Sequence, residues 1–433
     1  MAVNRLKAPR NVRIDFAPSP RQYELWKLLQ PNSCPHCGGT IEQVFIGYDQ
    51  QQNPQYKPQC TKCKTQNLPQ LILGGGAAGG GKAGLLDSKA CTPFGFRKIR
   101  DLKVGDIISS ATTGRQQRII WLHPIEEHDY YRIHFIDGTH YDCSSGHLWQ
   151  LHLSRKRTKR KDAEGNVCNE RIWSARMIHD WICRKKSGMY KGMNLIIPLC
   201  APVQFTVGNR YKQTKPIEPY VLGALLGDGC ITRSVIEANA VQLTTMDDEI
   251  VQKFMQYGYD MGHSQAKAGS RAKSYMIYNQ ALVEALCNLK LSGCDSSNKF
   301  IPDQYKLATI EERKRLIQGI MDTDGYVDER GHISYCTTSR RLADDVAFII
   351  RSLGGIATVK RNPSGYRDRS GCRVKCNDSY DVYIRTRMNP DLVSLSRKRC
   401  RCRHEYNGGV SELGKRIIDA EYIGKREGRC ITV

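Results

Sequence analysis

Two segments of this chain repeat each other, and the repeat restricts the fold more than any other feature. Tyr220-VLGALLGDGCIT is matched by Leu316-IQGIMDTDGYV, with Asp228 and Asp324 standing 96 residues apart. After each comes a β-type run ending in a threonine pair, Thr244-Thr245 and Thr337-Thr338, and then a helical stretch, Asp247-DEIVQKFMQYG and Arg341-LADDVAFIIRSLGG. Two copies of helix, strand and helix predict a pseudo-twofold α+β domain built from two similar halves.

The chain is 433 residues long, enough for two to four domains. It is 40% hydrophobic and 25% charged, as soluble globular proteins are. No apolar run reaches the roughly 20 residues that span a bilayer, and the opening MAVNRLKAPRNVRID has no apolar signal core. The sequence thus predicts a protein of the host-cell cytoplasm with no membrane partner. Sixty-six Lys and Arg oppose 43 acids, a net charge of +23 that attracts a polyanion, most simply nucleic acid. Arg155–Lys161 holds six basic residues in seven and Arg397–Arg403 five in seven; such runs read as solvated faces or tails.

Of the 18 cysteines, four have metal-ligand spacing. Cys34-Pro-His-Cys37 and Cys60-Thr-Lys-Cys63 are two CxxC pairs with 22 residues between them, the pattern that brings four thiolates to one structural Zn²⁺. A redox CxxC would not need a second copy, and His36 reads as exposed. The remaining cysteines read as reduced, small buried hydrophobes, with Cys430 an exception taken up below.

An apolar run, Leu71-Ile-Leu73, leads into Gly74-GGAAGGGK82, a phosphate loop in which backbone N–H groups approach phosphate and the lysine offsets its charge. Ala83 stands where the Mg²⁺-binding Ser or Thr belongs; a flexible Gly-rich linker is the other reading. With Phe16-Ala-Pro-Ser-Pro-Arg-Gln22, the first 80 or so residues resemble the large terminase subunit of tailed phages. The resemblance implies that Gln22 reads adenine and that Gly79, Gly80, Gly81 and Lys82 hold nucleotide. ATP is then expected only in a complete, spliced terminase, because the later ATPase acids are not in this chain.

From Ala83 the sequence resembles an intein of the Hint fold. Ala83-GLLDSKACTPFGFRKIRDLKVGDII is similar to the opening block, Cys143-SSGHLW149 to the block that supplies a Thr-x-x-His pair, and Ile417-IDAEYIGKREGRCITV433 to the closing block. The nearest other reading is a hedgehog-type autoprocessing domain. The resemblance implies that His147 protonates the leaving nitrogen and that Ser144 holds the scissile carbonyl. Ala83, the splice junction, cannot attack. Either Cys430 attacks the upstream junction directly, as in a minority class in which a Trp such as Trp149 follows the histidine, or Ala83 replaces an ordinary Cys; the first is preferred. Cys430 as a structural cysteine is the third possibility. The family's closing His-Asn and following nucleophile do not precede Val433, so splicing by this chain alone is expected to fail, and a complementary C-terminal intein or terminase fragment is an expected partner.

Gly223-ALLGDG229 and Gly319-IMDTDG325 resemble the paired helices of LAGLIDADG homing endonucleases. The resemblance implies that Asp228 and Asp324 bind Mg²⁺ and hydrolyse double-stranded DNA at a homing site in the uninterrupted terminase gene. It also implies a basic residue near the site: Lys299 in Asn298-KFIP302, with Lys360 as its counterpart in the second half. Asp322 and Asp328 are alternatives disfavoured by spacing, and a turn is the ordinary reading of a single Gly-Asp-Gly.

The expected organisation is a partial α/β P-loop segment with a zinc ribbon (1–82; ribbon 34–63, phosphate loop 74–82), an all-β Hint domain in two parts (83–205 and 409–433), and an α+β endonuclease (206–408). The competing function is a zinc-containing basic module that binds DNA but neither cuts nor splices.

Overall fold

The computed structural model describes residues 41–48, 54–60, 84–110, 114, 116–155, 170–189, 193–205, 215–262, 264–266, 271–363, 365–367, 373–375, 377–402 and 414–433. Contacts divide the chain into two units, Met1–Gly80 and Gly81–Val433. In the first, strands Ile41–Tyr48 and Pro54–Cys60 form an antiparallel hairpin in which Ile41 pairs with Cys60.

The second unit contains an antiparallel seven-stranded sheet in the order Glu170–Ser174, Leu148–Arg155, Met193–Pro198, Gly414–Arg429, Gly84–Leu85, His140–Ser144, Glu126–Phe135. Gly414–Arg429 is 16 residues long and also runs along Glu126–Phe135, from Ile417 opposite Phe135 to Gly428 opposite Glu126. It manages both pairings by bending at two register shifts; Gly424, at the second, has φ +88, a conformation costly for any side chain. The reading of this part as all-β is corrected by one element, the helix Ala175–Lys186. Ser174 caps its start by accepting from Met177 N at 3.2 Å, and Ala175, Ile178, Trp181 and Ile182 bury one face against the sheet.

The repeated segments form two four-stranded antiparallel sheets, one per copy. Gly229–Cys230, Ala240–Thr245, Lys273–Tyr278 and Ser264–Ala266 make the first; Gly325–Val327, Ile333–Thr337, Ser379–Arg385 and Ile356–Asn362 make the second. Both follow the spatial order first, second, fourth, third in sequence, so the halves share a topology richer than the expected helix, strand and helix. Their inner faces pack with helices Pro219–Asp228, Asp248–Gln256, Gln280–Asn288, Ile310–Thr323 and Arg340–Ser352 into one core drawn from Ile217 to Cys402. The seven-stranded sheet has a separate core around Ile133, Phe135, Cys143, Leu151 and Ile178.

Arg313 ties the segment that follows the strand Met193–Pro198 to the repeat domain. Fully buried, it donates from Nε to Ala308 O at 3.0 Å and from its terminal nitrogens to Ser352 Oγ and Val203 O, and its guanidinium lies 4.9 Å from the Phe205 ring centre. Burial lowers its pKa to about 10.

The eleven cysteines whose side chains are described are all free thiols, and of these only Cys143 and Cys402 are buried. The expectation of small buried hydrophobes therefore fails for Cys183, Cys287, Cys336 and Cys400, which are exposed.

Candidate nuclease site and splicing junction

Pro219–Asp228 starts at Glu218, whose carboxylate accepts from Tyr220 N (2.6 Å) and Val221 N (3.2 Å), with proline at the first helical position. The helix is apolar on every side and buried from Pro219 to Leu226, which suits an element at the centre of a domain. Ile310–Thr323 starts with a capping box, Thr309 with Glu312. The two helices meet at backbone contact. A Cβ on Gly223 would strike Leu316 O, and one on Gly319 would strike Tyr220 O and come within 2.6 Å of Ala224 N. A Cβ on Gly227 would strike Thr323 and lie 3.4 Å from Asp324 Oδ2, so the second carboxylate stands against the end of the first helix.

Asp228 closes the first helix and Asp324 caps the second. Both sit where helix carbonyls concentrate negative charge, which disfavours carboxylates and favours cations. Two buried lysines occupy those ends. Lys299 Nζ donates to Leu225 O (2.9 Å), Gly227 O (3.1 Å) and Gly229 O (2.7 Å). Lys398 Nζ donates to Met321 O (2.8 Å), Thr323 O (3.0 Å) and Gly325 O (2.7 Å), and also to Asp322 O (2.7 Å). The first three acceptors of each lysine correspond across the repeat at the same 96-residue spacing. Lys398, not Lys360, is therefore the counterpart of Lys299. Lys360 lies in an edge strand, exposed, and pairs in register with Asp381.

Burial, and next the neighbouring Asp324, raise Asp228 from 3.8 to about 6, with Lys398 and Lys299 acting against the shift. Asp324 is exposed, yet desolvation raises it too, with both lysines opposing. Burial lowers Lys299, which the two aspartates partly restore. Lys398 falls to about 8, through burial first and the adjacent Arg397 second. The result is a paired-carboxylate site in which both acids are harder to ionise than an ordinary aspartate and whose negative charge a divalent cation would offset.

Neither rejected acid faces this site. Asp328 closes a surface turn by accepting from Arg330 N (2.8 Å) and His332 N (2.7 Å). Asp322 is buried and turned toward Ser394 and Leu395. Among the described residues, no three or more His, Cys, Asp and Glu side chains gather as a metal cluster. A metal at the pair would thus take its other ligands from water and phosphate, the coordination Mg²⁺ favours. The donor set fits a hard cation.

The exposed faces of the two sheets carry Tyr278 in the first and Lys360, Tyr383 and Arg385 in the second. Alternation places these opposite the buried Ile277, Val382 and Ile384.

In the seven-stranded sheet, Gly84 pairs with Cys143 on one side and Arg429 on the other. The neighbours in sequence are Ala83, Ser144 and Cys430. Ser144 is buried at a strand end, and its carbonyl accepts from His147 N at 2.9 Å. The His147 ring centre lies 5.3 Å from Trp149 and 5.9 Å from Tyr141. Tyr130, fully buried, is raised by desolvation and then by Tyr141, Cys143 and Cys430, which places these groups around one spot. Burial takes Cys143 and Tyr141 to about 12. Ala83 itself, Gln22, Cys34, Cys37, Cys63, Gly79, Gly80, Gly81 and Lys82 lie outside the described residues.

Comparison with known proteins recognises part of the chain. Residues 311–388 match the family described as LAGLIDADG-like domain, so the chain carries such a domain across its second motif helix. The replicative DNA helicase DnaB of Mycobacterium intracellulare is 26% identical over 369 residues, 82% of this chain and 56% of that protein. The homothallic switching endonuclease of Saccharomyces cerevisiae is 28% identical over 150 residues, 33% of this chain and 25% of that one. The chain thus spans about half or less of these relatives. Among solved structures, I-DmoI in complex with DNA and Mn aligns at 16% identity with a TM-score of 0.28, covering 40% of this chain and 92% of that one. The gp41-1 intein aligns at 24% identity with a TM-score of 0.14, covering 20% and 63%. No helix among the described residues is long and apolar enough to cross a membrane.

Proposed function

We propose that the chain is a metal-dependent, site-specific double-strand DNA endonuclease carried within a self-splicing insert. The observation that supports the nuclease most is the pair Asp228 and Asp324, set at two glycine-contacting helix ends and each flanked by a buried lysine. Mg²⁺ held there would supply an activated water and offset charge on the leaving oxygen. The chain's own residues set the conditions: the helix contact fixes the separation of the acids, and the lysines lower the cost of ionising both. The tyrosine-bearing sheet faces, basic through Lys360 and Arg385 in the second half, suit the phosphates of a duplex. Cleavage of a plasmid carrying the uninterrupted host gene in Mg²⁺ is the test. Asp228→Ala is expected to abolish cutting while leaving binding; a protein that binds this DNA and never cuts it would be the binding module instead.

Splicing is supported by the register that sets Gly84 between Cys143 and Arg429. In this reading the Cys430 thiolate attacks the Lys82 carbonyl, the Lys82–Ala83 amide breaks, and His147 gives a proton to the Ala83 nitrogen while Ser144 steadies the carbonyl. Added thiol should then release an N-terminal fragment ending at Lys82. Cys430→Ser should prevent release, and undiminished release from that variant would refute the assignment.

The proposed host is a phage terminase interrupted at its phosphate loop, in the cytoplasm of a bacterial cell. ATP binding by Gln22, Gly79, Gly80, Gly81 and Lys82 would follow only after splicing to a complementary C-terminal fragment. Neither relative named above is a terminase, so the codons flanking the insert decide between hosts. Zn²⁺ at Cys34, Cys37, Cys60 and Cys63 rests on the spacing of the two CxxC pairs; of the four, Cys60 alone lies among the described residues, opposite Ile41 in the hairpin. One zinc per chain by elemental analysis, lost in Cys60→Ser, is expected.

A further inference from the structure

Lys299 and Lys398 reach the motif helices on segments that are each fastened from the opposite half of the domain. Around Lys299 the second half does the fastening. Thr338 Oγ1 donates to Ser296 O (2.7 Å), Ser339 Oγ donates to Lys299 O (2.6 Å), and Asp345 Oδ2 accepts from Ile301 N (2.9 Å). Around Lys398 it is the first half. Asp247 receives Arg397 at 2.6 and 2.7 Å, and Glu249 receives Ser396 N (3.0 Å) and Oγ (2.9 Å).

One anchor has no mate across the repeat. Asp322, 1% exposed, accepts from Ser394 N (2.8 Å) and Leu395 N (3.0 Å) on Oδ1, and from Tyr220 OH (2.9 Å) and Ser394 Oγ on Oδ2, with Lys253 Nζ 3.7 Å away. The corresponding residue of the first half is Leu226, which is buried and cannot accept. Four donors, two on each oxygen, fill the Asp322 carboxylate, so it has no capacity left for a metal at the acid pair.

We propose that Asp322 is a positioning residue for DNA cleavage: through Ser394 and Leu395 it seats Lys398 on the end of the second motif helix, while Asp247 and Glu249 clamp the same segment from across the dyad. The proposal rests on the endonuclease reading and deepens it. The two cleavage centres are set by separate clamps, so releasing one clamp slows one strand more than the other. A loss of overall stability would slow both strands alike.

The test is single-turnover nicking of each strand, labelled separately, of a duplex carrying the uninterrupted host junction, by the full chain in Mg²⁺. Asp322→Leu, which installs the first half's residue, is expected to slow one strand by about 10–100-fold and the other by less than about threefold. DNA affinity in Ca²⁺ should stay within about threefold of the unaltered protein. Asp322→Asn, which keeps the shape, should recover most of the rate. Asp247→Asn, which weakens the half-buried pair with Arg397, should bias the same strand by about 3–10-fold, and Ser339→Ala should bias the other. Equal slowing of both strands, or unchanged strand ratios, overturns the proposal. If Asp322→Leu fails to bind DNA, the Asp247→Asn ratio decides. Failure of the unaltered protein to cut either strand defeats the endonuclease reading itself, and the proposal with it.

Discussion

At the end of the first motif helix, Asp228 titrates near 6 in the fold against 3.8 for an ordinary aspartate. Between those values the folded protein binds more protons than the unfolded chain, so this residue's contribution to stability is full below 3.8 and is lost as pH rises through 6. Above pH 7 the charged group is a liability that the fold tolerates. Asp228→Asn is therefore expected to stabilise the metal-free protein at pH 7.5 by about 1–3 kcal/mol, read as a rise in Tm in EDTA. Adding Mg²⁺ should raise the Tm of the unaltered protein and narrow the difference, because ligand binding to the fold adds stability. Cleavage at low Mg²⁺ should fall as pH drops through about 6, since a protonated Asp228 cannot hold the metal. Both acids were legible in the sequence because the repeat marks them twice. Lys398 was not. It lies 99 residues after Lys299 rather than 96, and it sits in a basic run whose composition reads as solvated. Only the tertiary fold shows that its ammonium fills a ring of carbonyls.

The motif helices show what a sequence states plainly and what it leaves out. Their glycines, the flanking apolar residues and the Thr309–Glu312 box are local signals, and the structure uses each of them. The contact they make leaves no room for a methyl group. Gly319→Ala would push into Tyr220 O and Ala224 N, both backbone atoms that cannot rotate aside. It should cost about 1–3 kcal/mol, measured by denaturant unfolding, and should reduce cleavage further by shifting Asp324 relative to Asp228. Unchanged stability would mean that the helices do not meet at this position. The helix Ala175–Lys186 was missed although its buried residues fall at helical spacing, because the neighbouring short apolar runs read as strands throughout. The strand order of each half's sheet is equally hard to foresee: it follows from long-range pairing, which leaves no periodic mark.

For the molecule as a whole, the strand Gly414–Arg429 closes a sheet whose other members end more than 200 residues earlier. Residues 83–205 alone thus leave several strands without their partner, exposing backbone groups that must be paired when buried. That fragment is expected to be insoluble or unfolded by circular dichroism. Co-expression with 409–433, or fusion to it through a short linker, should restore a folded protein; a well-folded 83–205 fragment would refute this. Recovery without 206–408 is expected because the two hydrophobic cores share no residue.

That separation bears on how such a chain can change over time. On the splicing and nuclease readings proposed above, substitutions that erode the nuclease core or its acids leave the core of the seven-stranded sheet intact, so cutting can decay while self-removal persists under selection. The reverse path is closed, because an insert that cannot leave its host protein disables the host. Variants of this chain in nature should accordingly accumulate damage around Asp228 and Asp324 before they accumulate it around Ser144 and His147.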